Sequence, residues 1–502
     1  MEFIYDVLNW IDSNILWGVP MIALIIGCGI LLTVRSRFFQ VKKFGYAIRH
    51  VACGTIKDMK KNADGFVPED KHNVSPFEAF STAVSGTVGT GNIVGVTTAI
   101  LSGGPGAVFW MWVSAFFGCI TKFSEITLGL FFRKKNSDGE FLGGPMQYIE
   151  KGLGKKWLAV LFAVFTILAA IGMGSVQSDT IQSTWDSAFG IPTYVTAIII
   201  TLITALVVIG GIKRISKVTS LIVPFMIILF IILVLILIIA NAAAIPAAFA
   251  SIFSSAFSGR SMIGGFAGYG IGAAMRYGFA RGVFSNEAGL GSASIAHSTS
   301  VNKEPVEQGL WGIFEVFIDT FVICTLTALF ILTSGLDGNG AASGAQLSMS
   351  AFNGVLGTFG KIAYSVILPL FAFSTILAWA LYGSKASEYI FDNHRKGAKL
   401  TFNIIYLATI LVIALLTFFF GENLGADFVW LISDMTNALM AIPNLIALCL
   451  LSGLLIKIIK NYLDRKSGKQ IPPLISAFDG DGAQYEIHAK TEQNFENPAK
   501  TE

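Results

Sequence analysis

The chain has 502 residues, 54% of them hydrophobic and only 13% charged, with a mean hydropathy of +0.67 and a formal net charge of +3. A soluble domain carries roughly 25% charged residues, and several apolar runs here approach the ~20 residues that cross a bilayer. The composition excludes a soluble globular domain and gives an all-α integral membrane protein with one transmembrane domain.

The N-terminal stretch MEFIYDVLNWIDSN is acidic and amphipathic and lacks the basic start of a cleavable signal. Eleven transmembrane helices are expected, at approximately 15–34, 77–100, 105–131, 157–180, 191–210, 218–241, 262–285, 308–333, 361–384, 401–420 and 428–458. The third and the last are long enough to tilt or bend. Between the first two lies a basic segment, 35–76, with Arg35, Arg37, Lys42, Lys43, Arg49, Lys57, Lys60 and Lys61 spaced by apolar residues. It reads either as a helix at the headgroup surface or as a solvated loop that sets topology. An N-terminus outside and a C-terminus in the cytoplasm put 30 of the 35 basic residues on the inner side, as the positive-inside rule requires. A cell-membrane protein is therefore expected, divided into a first helix (1–34), the basic segment (35–76), two helical groups (77–241 and 262–458) and a tail (459–502) whose polar end, Asp479 to Glu502, reads as disordered.

Two spans depart from an ordinary helix pattern. In 77–100 the run STAVSGTVGTGNIVG, Ser81 to Gly95, places Gly86, Gly89 and Gly91 with two threonines and Asn92 at mid-membrane depth. A helix interrupted there leaves backbone N–H and C=O groups unpaired, at several kcal/mol each, unless protein or a polar cavity receives them. A bound anion and a small cation would pair with those groups. Span 262–285, MIGGFAGYGIGAAMRYGFARGVFS, repeats the pattern with Gly264, Gly265, Gly268, Gly270, Gly272, Gly278 and Gly282 and leads into Asn286 and Glu287. Setting the first span aside leaves two groups of five, each beginning with an interrupted helix. Such a pair in corresponding positions of inverted repeats points to a transporter's binding site. Close helix packing is the competing reason for glycine in a membrane helix.

The runs GTVGTGNIVG at 86–95, GGPGAVFWMW at 103–112, GGPMQYIEKGLG at 143–154 and RGVFSNEAGLGSA at 281–293 resemble the alanine or glycine:cation symporter family, over about residues 10–460. The resemblance implies a LeuT-type fold, a 5+5 inverted repeat preceded by one extra helix, and sodium-coupled uptake of alanine, glycine or a similarly small amino acid. Sodium is then the coupling ion and no cofactor is expected.

The chemistry assigns roles. An amino-acid carboxylate is met by free N–H groups at a half-helix N-terminus, and Gly89, Thr90 and Gly91 let a ligand approach the backbone. Acceptors for the ammonium are carbonyls near Tyr277 to Ala280, and Gln177, which by the family resemblance contacts substrate; an interhelical hydrogen bond is the other reading of Gln177. Sodium takes hard oxygens. The LeuT-type resemblance places it at Ser374 and Thr375, with carbonyls at Ser85, Val88 and near Phe371; hydroxyls bonded to their own preceding turn are the alternative. Phe279, Val283 and Trp379 are candidate walls that limit substrate size.

Charged residues inside spans need partners. Glu125 is expected to bond the second break or to pair with Lys122 one turn away. Arg281, Asn286 and Glu287 read as a gate network at the inner end of that break. Glu315 and Asp319 are candidates to bind or relay a proton. The five histidines and five cysteines show no zinc, triad or disulfide spacing, so an enzyme is not expected, nor is a nucleic-acid partner. A proton-coupled amino-acid carrier is the alternative, with a channel or a non-transporting receptor behind it.

Overall fold

The structure, a computed structural model, describes residues 2–63, 72–257, 270–336, 343–420 and 422–476, with side chains outside residue 2, 57–63 and 413–427. The apolar stretches fold into long helices, several of which carry glycine or proline in their interior. In chain order these are α1 (Phe3–Arg35), α2 (Phe44–Ala63), α3 (Pro76–Thr87), α4 (Val96–Gly103), α5 (Gly106–Phe131), α6 (Lys156–Phe189), α7 (Thr193–Val208), α8 (Gly211–Ala240) and α9 (Ile245–Phe257). Then follow α10 (Ile271–Asn286), α11 (Ser292–His297), α12 (Pro305–Thr333), α13 (Gly344–Ile390), α14 (Arg395–Phe420) and α15 (Glu422–Lys466). A two-stranded hairpin, β1 (Lys134–Lys135) and β2 (Phe141–Leu142), lies between α5 and α6.

Among the described residues seven helices are long and apolar enough to cross a membrane, and α3 with the segment Gly91–Gly103 makes an eighth as a pair bent by 45°. On α8 the side chains Leu221, Phe225, Ile228, Ile232 and Ile239 are all exposed, at the spacing of one helix face. In water that stripe would demand a partner; in a bilayer lipid covers it.

Several boundaries differ from the sequence reading. α6 runs to Phe189 and α8 begins at Gly211, so Lys213, Arg214 and Lys217 lie within its first turns. Two helical pieces were not expected: α9, and the first part of α13, which meets the rest at Gly357, where φ is +58°. The basic segment contains the helix α2. The first residues of span 262–285, with Gly264, Gly265 and Gly268, lie outside the described residues, as does the polar end Asp479 to Glu502.

The interruption after α3 lies at the seam of the buried core. Ala79 and Ala83 pack into a cluster with Trp379, Tyr382, Val283 and Phe284. Val84, Val88 and Ile93, on the other face, pack with Phe371, Met226 and Phe230. Ser75 opens α3 with a capping box: its hydroxyl accepts the Glu78 N–H at 3.2 Å, and the Glu78 carboxylate accepts the Ser75 N–H at 2.9 Å. Pro76 at the first helical position suits the same start.

Candidate functional site

Why α3 ends where it does is visible in its last hydrogen bonds. In a continued helix the Ser85 carbonyl would accept from Val88 or Gly89. The Val88 N–H goes to Val84 O at 2.7 Å, and the Gly89 N–H goes to Thr87 O at 3.0 Å and to Asn92 Oδ1 at 2.9 Å. The Val88 carbonyl is bypassed in the same way, because the Asn92 N–H turns to Gly89 O at 3.2 Å. Two carbonyls are thus stripped of their helical donors at the negative end of α3. Asn92 enforces this: it caps the break with Oδ1 and reaches Asp319 Oδ1 with Nδ2 at 2.6 Å.

The sodium-site expectation falls beside these carbonyls. Thr375 of α13 touches the break: a Cβ on Gly89 would collide with Thr375 Oγ1, so only glycine allows the approach. Ser374 and Thr375 both donate to Phe371 O, at 2.9 and 3.1 Å. They therefore make the local turn bonds named above as the alternative, with oxygen lone pairs still able to accept or ligate. The two hydroxyls diverge, Thr375 toward the break and Ser374 toward α8, where it meets Met226 Sδ at 3.5 Å.

On the far side of the break the Thr90 N–H points at Gln177 Oε1 of α6, 3.4 Å away. Gln177 is buried, and the Thr90 hydroxyl has no partner among the described residues. Trp379 is fully buried, its ring 5.4 Å edge-on from Tyr382; its indole N–H and the Tyr382 hydroxyl have no partner among the described residues. Gly91 lies against Phe284, and Val283 shares the core with Trp379. Phe279 is buried with its ring 6.2 Å from Trp110 of α5.

The second interruption is displaced from its expected place. α10 continues through Asn286, so the carbonyls near Tyr277 to Ala280 lie inside a helix and are not released at a break. Gly278 is a packing residue: its added Cβ would lie 2.5 Å from Ala107 O and 2.6 Å from Trp110 Cβ of α5. The chain leaves the helix at Glu287, Gly289 and Gly291, with φ of +54°, +99° and +81°. Glu125 serves this second break, accepting the Gly289 N–H at 2.9 Å and the Asn444 amide at 2.6 Å. Lys122 does not pair with Glu125. Its ammonium is 3.1 Å from Glu315 and 2.9 Å from Asn286 O, at the C-terminal end of α10, where a cation offsets the helix dipole. Glu315 also meets His297 at 3.2 Å, and all three side chains are fully buried.

The expected gate trio separates. Asn286 and Glu287 sit at the break, where the Asn286 amide caps Ala288 at 3.0 Å and Glu287 accepts from Ser292 at 2.5 Å. Arg281 lies more than a turn earlier and forks onto Asp434 of α15 at 2.8 and 3.2 Å, beside the stacked rings of Phe284 and Trp430. Helical phase explains it: residues 281 and 286 point to different neighbours.

Ser285, Asp434, Asn444 and Tyr382 were not singled out from the sequence. Asp319 is fully buried and accepts from Asn92, from Ser285 at 2.9 Å and from Thr320 at 2.8 Å, so one carboxylate joins both interrupted segments. Asn444 carried a usable signal, one of two amides, with Asn437, within an apolar span.

This arrangement of membrane-length helices around an interrupted one defines a multi-pass membrane transport protein. A crystal structure of MhsT in complex with L-phenylalanine shares the fold, with a TM-score of 0.55 over 78% of this chain and 99% of that one, at 14% identity; the fold is of the LeuT type. A family model described as the sodium:alanine symporter family matches residues 1–475, and the chain belongs to that family. It is 39% identical over 472 residues to the sodium/alanine symporter AgcS of Methanococcus maripaludis, covering 92% of this chain and 98% of the relative. It is 41% identical over 465 residues to an uncharacterized transporter of Haemophilus influenzae, covering 92% and 97%.

Proposed function

We propose that this protein is a sodium-coupled symporter, not an enzyme, that imports alanine, glycine or a similarly small neutral amino acid by alternating access. The observation that carries the reading is the pair of stripped carbonyls, Ser85 and Val88, at the Gly89 break, with Thr375 against it. Those carbonyls with Thr375, Ser374 and Phe371 O supply hard, neutral oxygens for sodium. The backbone at Gly89, Thr90 and Gly91 takes the substrate carboxylate, and Gln177 Oε1 accepts from the ammonium once Thr90 N–H is released to the ligand. Val283 and Trp379 limit the side chain, with Phe279 behind them. Glu125, Asn286 and Glu287 shape the second break, and Arg281 with Asp434 ties α10 to α15 more than a turn before it. In this reading eleven helices form an extra helix and two inverted groups of five, 77–241 and 262–458, with the N-terminus outside and the C-terminus in the cytoplasm. The relative named a sodium/alanine symporter is consistent with it.

A second reading, proton coupling, draws on one observation. Asp319 is buried with neutral donors on both oxygens and no salt-bridge partner among the described residues. A carboxylate buried inside a membrane bundle without a cation against it is the kind of group that carries a proton relay. Radiolabelled alanine uptake into proteoliposomes decides. Accumulation under a sodium gradient, and none under an equal potassium gradient at matched pH, is the expected result. Uptake driven by external acid in sodium-free buffer would transfer the coupling to Asp319.

A further inference from the structure

After α15 the chain turns back on itself. Asn461 holds the return, its amide donating to Pro472 O at 2.8 Å and its carbonyl accepting the Leu474 N–H at 3.1 Å. At Ser476 the strap is fully buried and bonds twice across the molecule. The Ser476 N–H reaches Lys303 O at 3.1 Å, and its hydroxyl accepts from Arg133 Nε at 2.8 Å.

Arg133, just after α5, is itself fully buried. Its fork is met by Ser298 O at 3.2 Å, Ser300 O at 2.5 Å and Asn302 O at 2.9 Å, so the loop between α11 and α12 curls around one guanidinium. The Phe141 ring covers it at 3.8 Å. The same loop pairs with the chain entering α3: Val74 N–H to Thr299 O at 3.2 Å, and Val301 N–H to Val74 O at 2.8 Å. Asn73 bonds the hairpin through Phe141 N–H and Gly139 O, and Glu140 of the hairpin pairs with Lys385 of α13. The end of α15 is fastened to the far end of the loop by Arg465–Glu304 at 2.5 Å and to the first turn of α12 by Lys466–Glu307 at 3.3 Å. One buried cation therefore ties together the entrance to α3, the exit from the second break, the hairpin and the strap.

We propose that Arg133 is the lock of the inner gate and that the strap, residues 467–476, is its releasable bolt. This rests on the symporter reading above for which side is cytoplasmic. Opening the inner side draws the start of α3 and the 298–303 loop away from the hairpin. That motion exposes the guanidinium, whose carbonyl cradle the strap completes, so the closed arrangement holds while Ser476 is docked and loosens when it leaves. The strap is thereby a built-in brake on inward opening, and whatever engages the chain beyond Ser476 acts on the gate.

The test uses the full chain in proteoliposomes, cysteine-free except for a Ser81→Cys reporter in α3, buried and on the inner side of the break in the proposed orientation. Its labelling rate by a thiol reagent is measured in four variants: a truncation after Lys466, a truncation after Ser476, Ser476→Ala and Arg133→Lys. Removal of the strap and Arg133→Lys are expected to speed labelling ~10-fold, the effect of losing one charge-assisted hydrogen bond; Ser476→Ala gives a smaller rise in the same direction. The truncation after Ser476 leaves the rate unchanged. Equal rates in all variants would overturn the lock, and an equal rise in both truncations would assign the effect to the tail instead. The two point variants carry the test if the shorter truncation does not fold. Alanine uptake measured in parallel separates the ideas: faster labelling without sodium-dependent uptake keeps the lock and removes the symporter reading.

Discussion

At the scale of single residues, the break is set by side-chain size at one position and by an amide at another. Gly89 admits Thr375 Oγ1, and Asn92 takes the N–H that would have continued the helix. Thr375→Ala removes one hard oxygen and leaves the substrate backbone site alone. It is expected to raise the sodium concentration for half-maximal uptake ~10-fold, with the order of preference among amino acids unchanged; sodium titrations of uptake check this. Trp379 lies buried in the same core, its indole N–H without a partner among the described residues. Trp379→Ala is expected to let larger neutral amino acids compete with alanine, and unchanged competition would take Trp379 out of the pocket wall. Both residues stood out in the sequence as hydroxyl or bulk in an apolar helix. Asp434 did not stand out as a partner of Arg281, because the two are 153 positions apart and only folding joins them.

At the scale of elements, glycine had two meanings that the sequence alone did not separate. Gly89 and Gly91 mark a break, whereas Gly278 and Gly282 let α10 lie against α5. The distinction follows from what stands opposite each Cα, which no periodicity reports. Gly278→Val drives carbon into Ala107 O and is expected to cost about 1–3 kcal/mol of overpacking, read as a lower Tm in detergent. Gly272→Ala, on the same helix with nothing within 4 Å of its added Cβ, serves as the neutral comparison. The buried charges sorted themselves at this scale too. Lys122 had Glu125 within one turn, yet pairs with Glu315 across the bundle and with the carbonyl end of α10, where its charge meets a carboxylate and a helix terminus together.

At the scale of the whole molecule, the two breaks and the α5–α6 side are mechanically continuous. Asn92 meets Asp319, Asp319 meets Ser285, the next residue's carbonyl meets Lys122, Lys122 reaches Glu315, and Glu315 reaches His297, which adjoins the loop curled around Arg133. The hairpin clamp on that side has a defined pH window. Burial opposes ionisation of Glu140, but the Lys385 ammonium against it, with Lys399 and His72 further off, holds the carboxyl below its ordinary 4.5. A depressed carboxyl contributes its stabilisation above the ordinary value and loses it as pH falls through the lowered one. Hydrogen exchange of the hairpin amides, Lys134 to Leu142, is therefore expected to be flat with respect to this group from pH 5 to 8, after correction for the intrinsic rate. Protection that collapsed near pH 6 would remove Glu140–Lys385 as the clamp.

Composition and hydropathy by themselves determined a membrane bundle, because twenty apolar residues in a row have no other solvent than lipid. Glycine, threonine and asparagine at mid-span located the first break, because unpaired backbone in hydrocarbon demands a reason. The tertiary structure alone decided where the second break falls, which carboxylate each buried cation chose, and that Arg281 faces α15 while Asn286 faces α12. Those outcomes depend on which helix face meets which neighbour. That is settled by close packing between segments hundreds of residues apart, and a local pattern of residue types does not encode it one segment at a time.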